Sequence, residues 1–280
     1  MGKLLSRPIL RYHGSKWRIA PWIISYIPKH KIYVELFGGG GAVLLQKPRS
    51  YSELYNDLDG EIANVFRVAR DNGNELMEKL MLTPYSREEY ITAYESTGDP
   101  VEWARRTILR SYMGFATNGS TKGHGKNTYP NTGFRGHRKD SGATPAHEWA
   151  SYPECLSHIT GRLKGVVIEN RNALEIIPRY DNEKTVFYAD PPYLPSVRDY
   201  GTDYRHEMSE TDHIKLAEQL NLVKGSVLVS GYQSDLYNDL YKGWKRAEKK
   251  TYADRALPRT EVLWIKGVDP DLFDNYEEVI

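Results

Sequence analysis

Hydrophobic residues recur along this chain with two periods, and the two kinds of segment alternate as they do in α/β proteins. Short apolar runs rich in β-branched and aromatic residues predict strands at residues 31–37, 52–56, 166–168, 185–189, 226–230, 245–251 and 261–266. Apolar residues three and four positions apart predict helices at residues 17–27, 42–45, 62–69, 75–82, 87–94, 101–112, 149–163, 210–223 and 236–241. The pattern predicts a sheet with helices on both faces.

The alternation of strand and helix stops between about residues 71 and 163. This segment contains helical patterns and then residues 117–144, a Gly-, Asn-, Thr- and Lys-rich stretch with little periodicity. A loop of that length is uncommon in a compact domain unless it is functional or disordered. The sequence therefore predicts one domain built from residues 1–70 and 164–280, with residues 71–163 inserted into it.

Positive charge is concentrated in this insertion, although the formal net charge of the whole chain is only +1. No Asp or Glu occurs between residues 117 and 139, where Asn118 is interleaved with basic residues. Those basic residues are Lys122, Lys126, Arg135, Arg138 and Lys139. Arg and Lys bind phosphates, and Arg and Asn read base edges. The pattern fits either a solvated loop or a surface for a polyanion such as nucleic acid.

Composition excludes several other classes of protein. With 280 residues and 40% hydrophobic content, the chain can bury a full core, as a soluble globular protein does. A single cysteine, Cys155, rules out an internal disulfide and fits the cytoplasm. No apolar run is long enough to cross a bilayer, and the first residues lack the pattern of a signal peptide. Because no HExxH or CxxC spacing occurs, we expect no metal.

A run of four glycines, Gly38–Gly41, separates the first predicted strand from a short helix. This arrangement is typical of a backbone turn that approaches a nucleotide-like ligand closely, although a simple flexible turn has the same pattern. Asp57 ends the next strand, at the spacing of an acid that holds ribose hydroxyls, and Asp59 is an alternative. Asn172, in a turn after a later strand, either contacts a purine edge or serves only the turn.

The segment Asp190-Pro191-Pro192-Tyr193 directly follows the buried strand predicted at residues 185–189. Two consecutive prolines cannot continue a sheet, so the strand ends there. A carboxylate, a stiff turn with fixed carbonyl directions and an aromatic ring then lie at the carboxyl edge of the sheet, where α/β proteins bind ligands. The segment is predicted to be the chemical centre of the protein.

Five motifs in this order and spacing resemble Dam-type DNA adenine methyltransferases, in the group whose recognition domain is inserted between the two main motifs. The motifs are residues 10–16 (LRYHGSK), 35–41 (ELFGGGG), 55–57 (YND), 190–193 (DPPY) and 259–265 (RTEVLWI). The resemblance implies a Rossmann-like methyltransferase mixed sheet, with an inserted, mostly helical DNA-recognition domain at residues 71–163. It also implies S-adenosylmethionine as methyl donor and the N6 amino group of adenine in double-stranded DNA as acceptor.

Residue roles follow from the resemblance position by position. The donor is expected to contact Tyr12, Lys16, Glu35, Phe37, Gly38, Gly39, Gly40, Asp57, Asn172 and Asp190. Asp190, Pro191, Pro192 and Tyr193 are expected to be catalytic, and Arg11 to reach the DNA together with Asn118, Lys122, Lys126, Arg135 and Arg138. Tyr12 stands where the family usually has tryptophan, and Asn172 stands near a position that is usually acidic. We expect a bacterial or phage-encoded protein that is a monomer or a weak dimer.

The predicted chemistry is orientation of a weak nucleophile. Asp190 and a carbonyl near Pro191 each accept one N–H of the adenine amino group, which favours attack on the methyl group once the base is flipped out. Three other functions remain possible from the residues: methylation of cytosine N4 or RNA, DNA binding without catalysis, and a nicotinamide-dependent oxidoreductase. Asp at position 190 argues against a cytosine acceptor, and the intact segment 190–193 argues against DNA binding without catalysis. The lack of a GxGxxG motif argues against an oxidoreductase.

Overall fold

A computed structural model describes residue 5 and residues 7–114, 133–136, 144–197, 204–252 and 258–267. The strands of these residues are β1 (Ile32–Glu35), β2 (Ser52–Asn56), β3 (Val166–Glu169), β4 (Thr185–Ala189), β5 (Ser226–Gly231), β6 (Lys245–Tyr252) and β7 (Pro258–Lys266). The first helices are α1 (Ala20–Ser25), α2 (Ala42–Gln46), α3 (Gly60–Asp71), α4 (Gly73–Met81), α5 (Arg87–Thr92) and α6 (Pro100–Met113). The later helices are α7 (Pro145–Ala150), α8 (Tyr152–Leu163), α9 (Ala173–Tyr180), α10 (Glu210–Leu222) and α11 (Asp235–Leu240).

The seven strands form one mixed sheet, as the sequence predicts. Their order is β3-β2-β1-β4-β5-β7-β6. Strands β1 to β5 are parallel to one another, whereas β7 is antiparallel to both β5 and β6. The chain moves from β1 toward one edge and later returns to β4 on the other side of β1. The carboxyl ends of β1 and β4 therefore form a switch point, where open α/β sheets bind ligands.

Apolar side chains alternate along the central strands and fill two cores, one on each face of the sheet. Tyr33 and Tyr188 belong to the first core, which α1, α3, α6 and α8 cover. Val34 and Phe187 belong to the second, which α9, α10 and α11 cover. The prediction of helices on both faces is therefore correct.

Helices α4, α6 and α8, which fall in the predicted insertion, pack directly on the sheet-covering helix α3, and α5 and α7 pack on α6. Buried residues of α4, α5, α6, α7 and α8 belong to the same apolar core as β1 and β2. A buried ion pair joins Arg110 of α6 to Glu61 of α3 at 2.5 Å. Arg162 of α8 pairs with Glu53 of β2 at 2.6 Å. The last turn of α6 is thus joined to α3 by a buried ion pair.

Three local predictions differ from the structure. The helix predicted at residues 149–163 is two helices, α7 and α8, which meet at Ser151. The first helix is shorter than the predicted 17–27, because Ala20 begins it and Pro21 occupies its first turn. Helix α9 was not predicted, since Pro178 interrupts its pattern, yet the helix continues past this proline to Tyr180.

Candidate active site

The turn between β1 and α2 needs glycine for two reasons, its backbone conformation and its close packing. Gly39 and Gly41 have φ values of +48° and +63°, which glycine tolerates best. A Cβ at Gly38 would lie 2.1 Å from a ring atom of Tyr55, whose hydroxyl donates to the Gly39 carbonyl at 2.7 Å. The turn is therefore open to a ligand on one side and held by a buried tyrosine on the other.

Asp57, directly after β2, binds this turn through its carboxylate. One oxygen accepts from the Gly39 N–H at 2.7 Å, and the other accepts from the Asp59 N–H at 2.8 Å. Burial raises the pKa of Asp57 to about 6, although the two N–H groups oppose the shift. Each carboxylate oxygen retains a lone pair, so the group can accept further hydrogen bonds from a ligand in the cleft.

Asp59, the alternative to Asp57, has a different role. Its Oδ1 accepts from the Glu61 N–H at 2.9 Å and so caps helix α3. The same oxygen accepts from Arg205 at 2.7 Å. This carboxylate is occupied by the helix and the arginine, which leaves Asp57 as the acid that holds the glycine turn.

Glu35, at the end of β1, supports the turn from beneath. Its Oε2 accepts from the Tyr33 hydroxyl at 2.7 Å and from the Leu44 N–H of α2 at 2.8 Å. Burial raises the pKa of Glu35 to about 8, against the effect of these two donors. Glu35 also contributes to the wall of the cleft.

The segment before α1 covers the turn and reaches the end of β4. The ring of Tyr12 packs on Gly39, where an added Cβ would lie 2.9 Å from it. The ammonium group of Lys16 lies 3.0 Å from Asp190 Oδ1 and donates to the Gly14 carbonyl at 2.9 Å. Burial disfavours charge on Lys16, but the nearby carboxylates outweigh it and raise its pKa.

The Asp190–Tyr193 segment turns away from the sheet directly after β4. Burial raises the pKa of Asp190, although Lys16 opposes the shift. Pro191 is buried, and the hydroxyl of Tyr193 donates to the carboxylate of Glu261 on β7. The Tyr193 ring packs edge-to-face against Tyr232, with centroids 4.7 Å apart.

One cleft joins these parts, and each of the ten donor-binding residues predicted from the sequence contributes to its wall. They come from the segment before α1, the ends of β1, β2 and β4, and the start of α9. Asp190 and Pro192 of the predicted catalytic segment also line the cleft, whereas Pro191 and Tyr193 do not. Asn172 lines it and caps α9, because its Oδ1 accepts from the Leu174 N–H at 2.9 Å.

Two functional features were not predicted. Residues Tyr204–Met208 form the roof of the cleft, and Arg205 fixes this roof to α3 through Asp59 and Glu61. Glu261, only 3% exposed, lies beside Lys16 and Tyr193. The sequence held one signal for Glu261, an acid that directly precedes the apolar run Val262–Ile265.

The predicted DNA contacts fall in two groups. Asn118, Lys122, Lys126 and Arg138 lie outside the described residues. Arg135 is described and pairs with Glu148 at 2.8 Å. Burial and the positive charge of Arg135 lower the pKa of Arg11, so the two arginines lie in the same electrostatic environment. The structure therefore brings together Arg11, from the segment before α1, and Arg135, from the predicted insertion.

The described residues contain no group of three or more His, Cys, Asp or Glu side chains that could hold a metal ion. None of the helices in these ranges is long and apolar enough to cross a membrane.

Comparison with known proteins gives a family match over most of the chain. Residues 12–254 match the profile of the family described as D12 class N6 adenine-specific DNA methyltransferase. The chain is similar to the Type II methyltransferase M1.LlaDCHI of Lactococcus lactis subsp. cremoris, with 29% identity over 86% of either chain. It is 24% identical to the Type II methyltransferase M.MjaIII of Methanocaldococcus jannaschii, over 90% of this chain and 92% of the relative. It is 25% identical to a DNA adenine methylase of Haemophilus influenzae, over 87% and 85% of the two chains.

Proposed function

The chain belongs to the D12 class of N6 adenine-specific DNA methyltransferases, and we propose that its cleft binds S-adenosylmethionine beside a flipped adenine oriented by Asp190. The observation that carries the proposal is the single cleft that contains both the glycine turn and Asp190. A donor on the turn and an acceptor at Asp190 would then meet without further rearrangement of the sheet.

The residues of the cleft fit S-adenosylmethionine. The glycines present bare backbone where side chains would otherwise fill the space, and Tyr12 supplies an aromatic face above them. Asp57 offers carboxylate oxygens to ribose hydroxyls, and Asn172 lies at the far wall for the adenine moiety. When bound, S-adenosylmethionine supplies an electrophilic methyl group.

Asp190 is proposed to act on the adenine amino group by orientation. The lone pair of that nitrogen is delocalised into the ring, so the amino group is a weak nucleophile. If the Asp190 carboxylate and the Pro191 carbonyl each accept one N–H, charge concentrates on the nitrogen and its lone pair turns toward the methyl group. The amino proton becomes acidic only after transfer, so Asp190 does not need to be a strong base.

We assign the insertion, residues 71–163, to recognition of double-stranded DNA. Its basic polar stretch would bind phosphates, and Arg11 and Arg135 would contact DNA where the insertion meets the cleft. A base inside a duplex is inaccessible to Asp190, so the adenine must leave the stack before transfer. Tyr193 and Tyr232 offer aromatic surface on the acceptor side.

The test is expression of the full chain in bacteria that lack DNA methylation, followed by single-molecule sequencing of modified bases. We expect N6-methyladenine with the wild-type protein and none with Asp190→Ala, while that variant retains measurable binding of S-adenosylmethionine. Near-normal methylation by Asp190→Ala would contradict the proposed mechanism. The sequencing also identifies the DNA context of the methylated adenine.

A further inference from the structure

Glu261 is a buried charged residue at the start of the buried part of strand β7. The four residues that follow it, Val262–Ile265, are all buried and apolar. Glu261 itself is 3% exposed, and burying a carboxylate is unfavourable unless it has partners. Its partners are Tyr193, of the proposed catalytic segment, and Lys16, which also pairs with Asp190.

The first partner is the hydroxyl of Tyr193, which donates to Glu261 Oε1. This bond fixes one end of the phenol ring, and Tyr232 packs against the ring with centroids 4.7 Å apart. The ring therefore has a defined orientation before any base arrives. Without Glu261, the hydroxyl would lose its acceptor in a buried position.

The second partner is Lys16, which lies between two carboxylates. Its Nζ is 3.0 Å from Asp190 Oδ1 and 3.7 Å from Glu261 Oε1, and it also lies 4.7 Å from the centroid of the Tyr193 ring. A lysine paired with Asp190 alone would occupy the lone pairs that an amino group has to use. The attraction of a second carboxylate weakens that hold.

We propose that Glu261 is a positioning residue of the acceptor site, which shares Lys16 with Asp190 and fixes the ring of Tyr193. In this arrangement Asp190 keeps acceptor capacity for the adenine amino group, and the flipped base meets a preset aromatic surface. The inference rests on the proposed function of Asp190, and it assigns Glu261 no contact with the methyl donor.

The variants separate the two interactions. Glu261→Ala removes both of them. Glu261→Gln keeps an oxygen acceptor for the Tyr193 hydroxyl but removes the negative charge that attracts Lys16. Glu53→Gln is the matched control, because Glu53 is also 3% exposed and paired with a lysine, Lys47, at 2.6 Å. Lys47 does not line the cleft, whereas Lys16, the partner of Glu261, does.

Three assays are run on the whole chain. Steady-state kinetics on a duplex that contains the methylated sequence gives kcat and KM, a binding titration gives the Kd of S-adenosylmethionine, and the fluorescence of 2-aminopurine at the target position reports base flipping. We expect Glu261→Ala to lower kcat by about 100-fold and to reduce the 2-aminopurine signal, with a donor Kd within about threefold of wild type. Glu261→Gln should restore the 2-aminopurine signal and have a kcat about tenfold higher than that of Glu261→Ala. Glu53→Gln should retain the wild-type kcat.

Wild-type kcat in Glu261→Ala would overturn the inference. It would also be overturned if Glu261→Gln restored neither the 2-aminopurine signal nor kcat, or if Glu261→Ala lost donor binding in parallel with kcat. Asp190→Ala distinguishes this outcome from failure of the proposed function. If Asp190→Ala is inactive while Glu261→Ala is fully active, only the role of Glu261 fails; if Asp190→Ala is active, the proposed function itself fails.

Discussion

Arg205 and Asp59 form an ion pair of 2.7 Å between the roof of the cleft and the start of helix α3. The second guanidinium nitrogen of Arg205 lies 2.9 Å from Glu61, which in turn pairs with Arg110 of the insertion. Beside this pair, the ring of Tyr204 packs against Tyr12 with centroids 6.2 Å apart. The roof of the cleft and helix α6 therefore share one chain of charged contacts.

Replacing Arg205 with alanine should loosen the roof and speed the loss of S-adenosylmethionine. The charged hydrogen bonds to Asp59 and Glu61 are partly buried, so we expect the dissociation rate to rise roughly tenfold. Stopped-flow measurement of donor release checks this prediction. Arg246→Ala is the control, since Arg246 pairs with Glu248 on the edge strand β6; equal effects of both variants would contradict the role of the roof.

Gly38→Ala should destabilise the protein, because its Cβ would lie 2.1 Å from the ring of Tyr55. That ring is fully buried and stacked on Phe66 with centroids 4.0 Å apart, so it cannot move aside. We expect a loss of about 2 kcal/mol in the free energy of unfolding. Gly98→Ala, which meets nothing within 4 Å, should change it by less than about 0.5 kcal/mol. Urea unfolding of both variants measures the two free energies, and equal values would show that the turn tolerates a side chain at Gly38.

Binding of S-adenosylmethionine should weaken as the pH falls through about 6, the pKa to which burial raises Asp57. Below this pH the carboxyl group is protonated and loses acceptor capacity for ribose hydroxyls; above it the carboxylate is present. Calorimetric titrations between pH 5 and pH 8 check the prediction. Asp57→Asn should bind weakly and without this pH step, so a step of unchanged size in that variant would assign it to another group.

Glu35 should make the ligand-free protein less stable as the pH rises. Burial raises its pKa from 4.5 to about 8, so the native state binds more protons than the unfolded state between those values. The contribution of Glu35 to stability is therefore present below pH 4.5 and is lost as the pH rises through about 8. Glu35→Gln should reduce the loss by up to about 4 kcal/mol, measured as the free energy of unfolding at pH 5 and pH 9. If the free energy of unfolding changed by the same amount between these pH values in the wild type and in Glu35→Gln, the prediction would be wrong.

Replacing Arg135 and Arg138 together with alanine should weaken DNA binding and leave the Kd of S-adenosylmethionine unchanged. Loss of two phosphate contacts would lower the slope of log K against log salt by about 2. Fluorescence anisotropy with a labelled duplex at several salt concentrations measures it. Lys29 and Lys31, at the amino end of β1, provide a matched double variant; parallel loss of DNA and donor binding in the arginine variant would indicate misfolding instead.

Much of the cleft proposed to bind the donor was predictable from the sequence because its parts follow strand ends. Gly38–Gly41, Asp57 and Asp190 come after β1, β2 and β4, and the carboxyl ends of parallel strands meet at one edge. Strand positions are themselves readable, since buried strands need continuous apolar runs. The same reasoning could not decide whether Asp57 or Asp59 faces the turn, because that depends on hydrogen bonds to Gly39 and Arg205.

Other features depended on the tertiary structure. Glu261 meets Lys16 and Tyr193 only because β7 enters the sheet antiparallel beside β5, and no local pattern specifies that strand order. Arg205 pairs with Asp59 across the cleft, although no local sequence pattern around either residue predicts the ion pair. The sequence by itself determined the strands, the glycine turn and the acids at the strand ends, because backbone geometry and burial act on neighbouring residues. Only the tertiary structure decided which distant charges share a buried site, because their energy depends on separations in space.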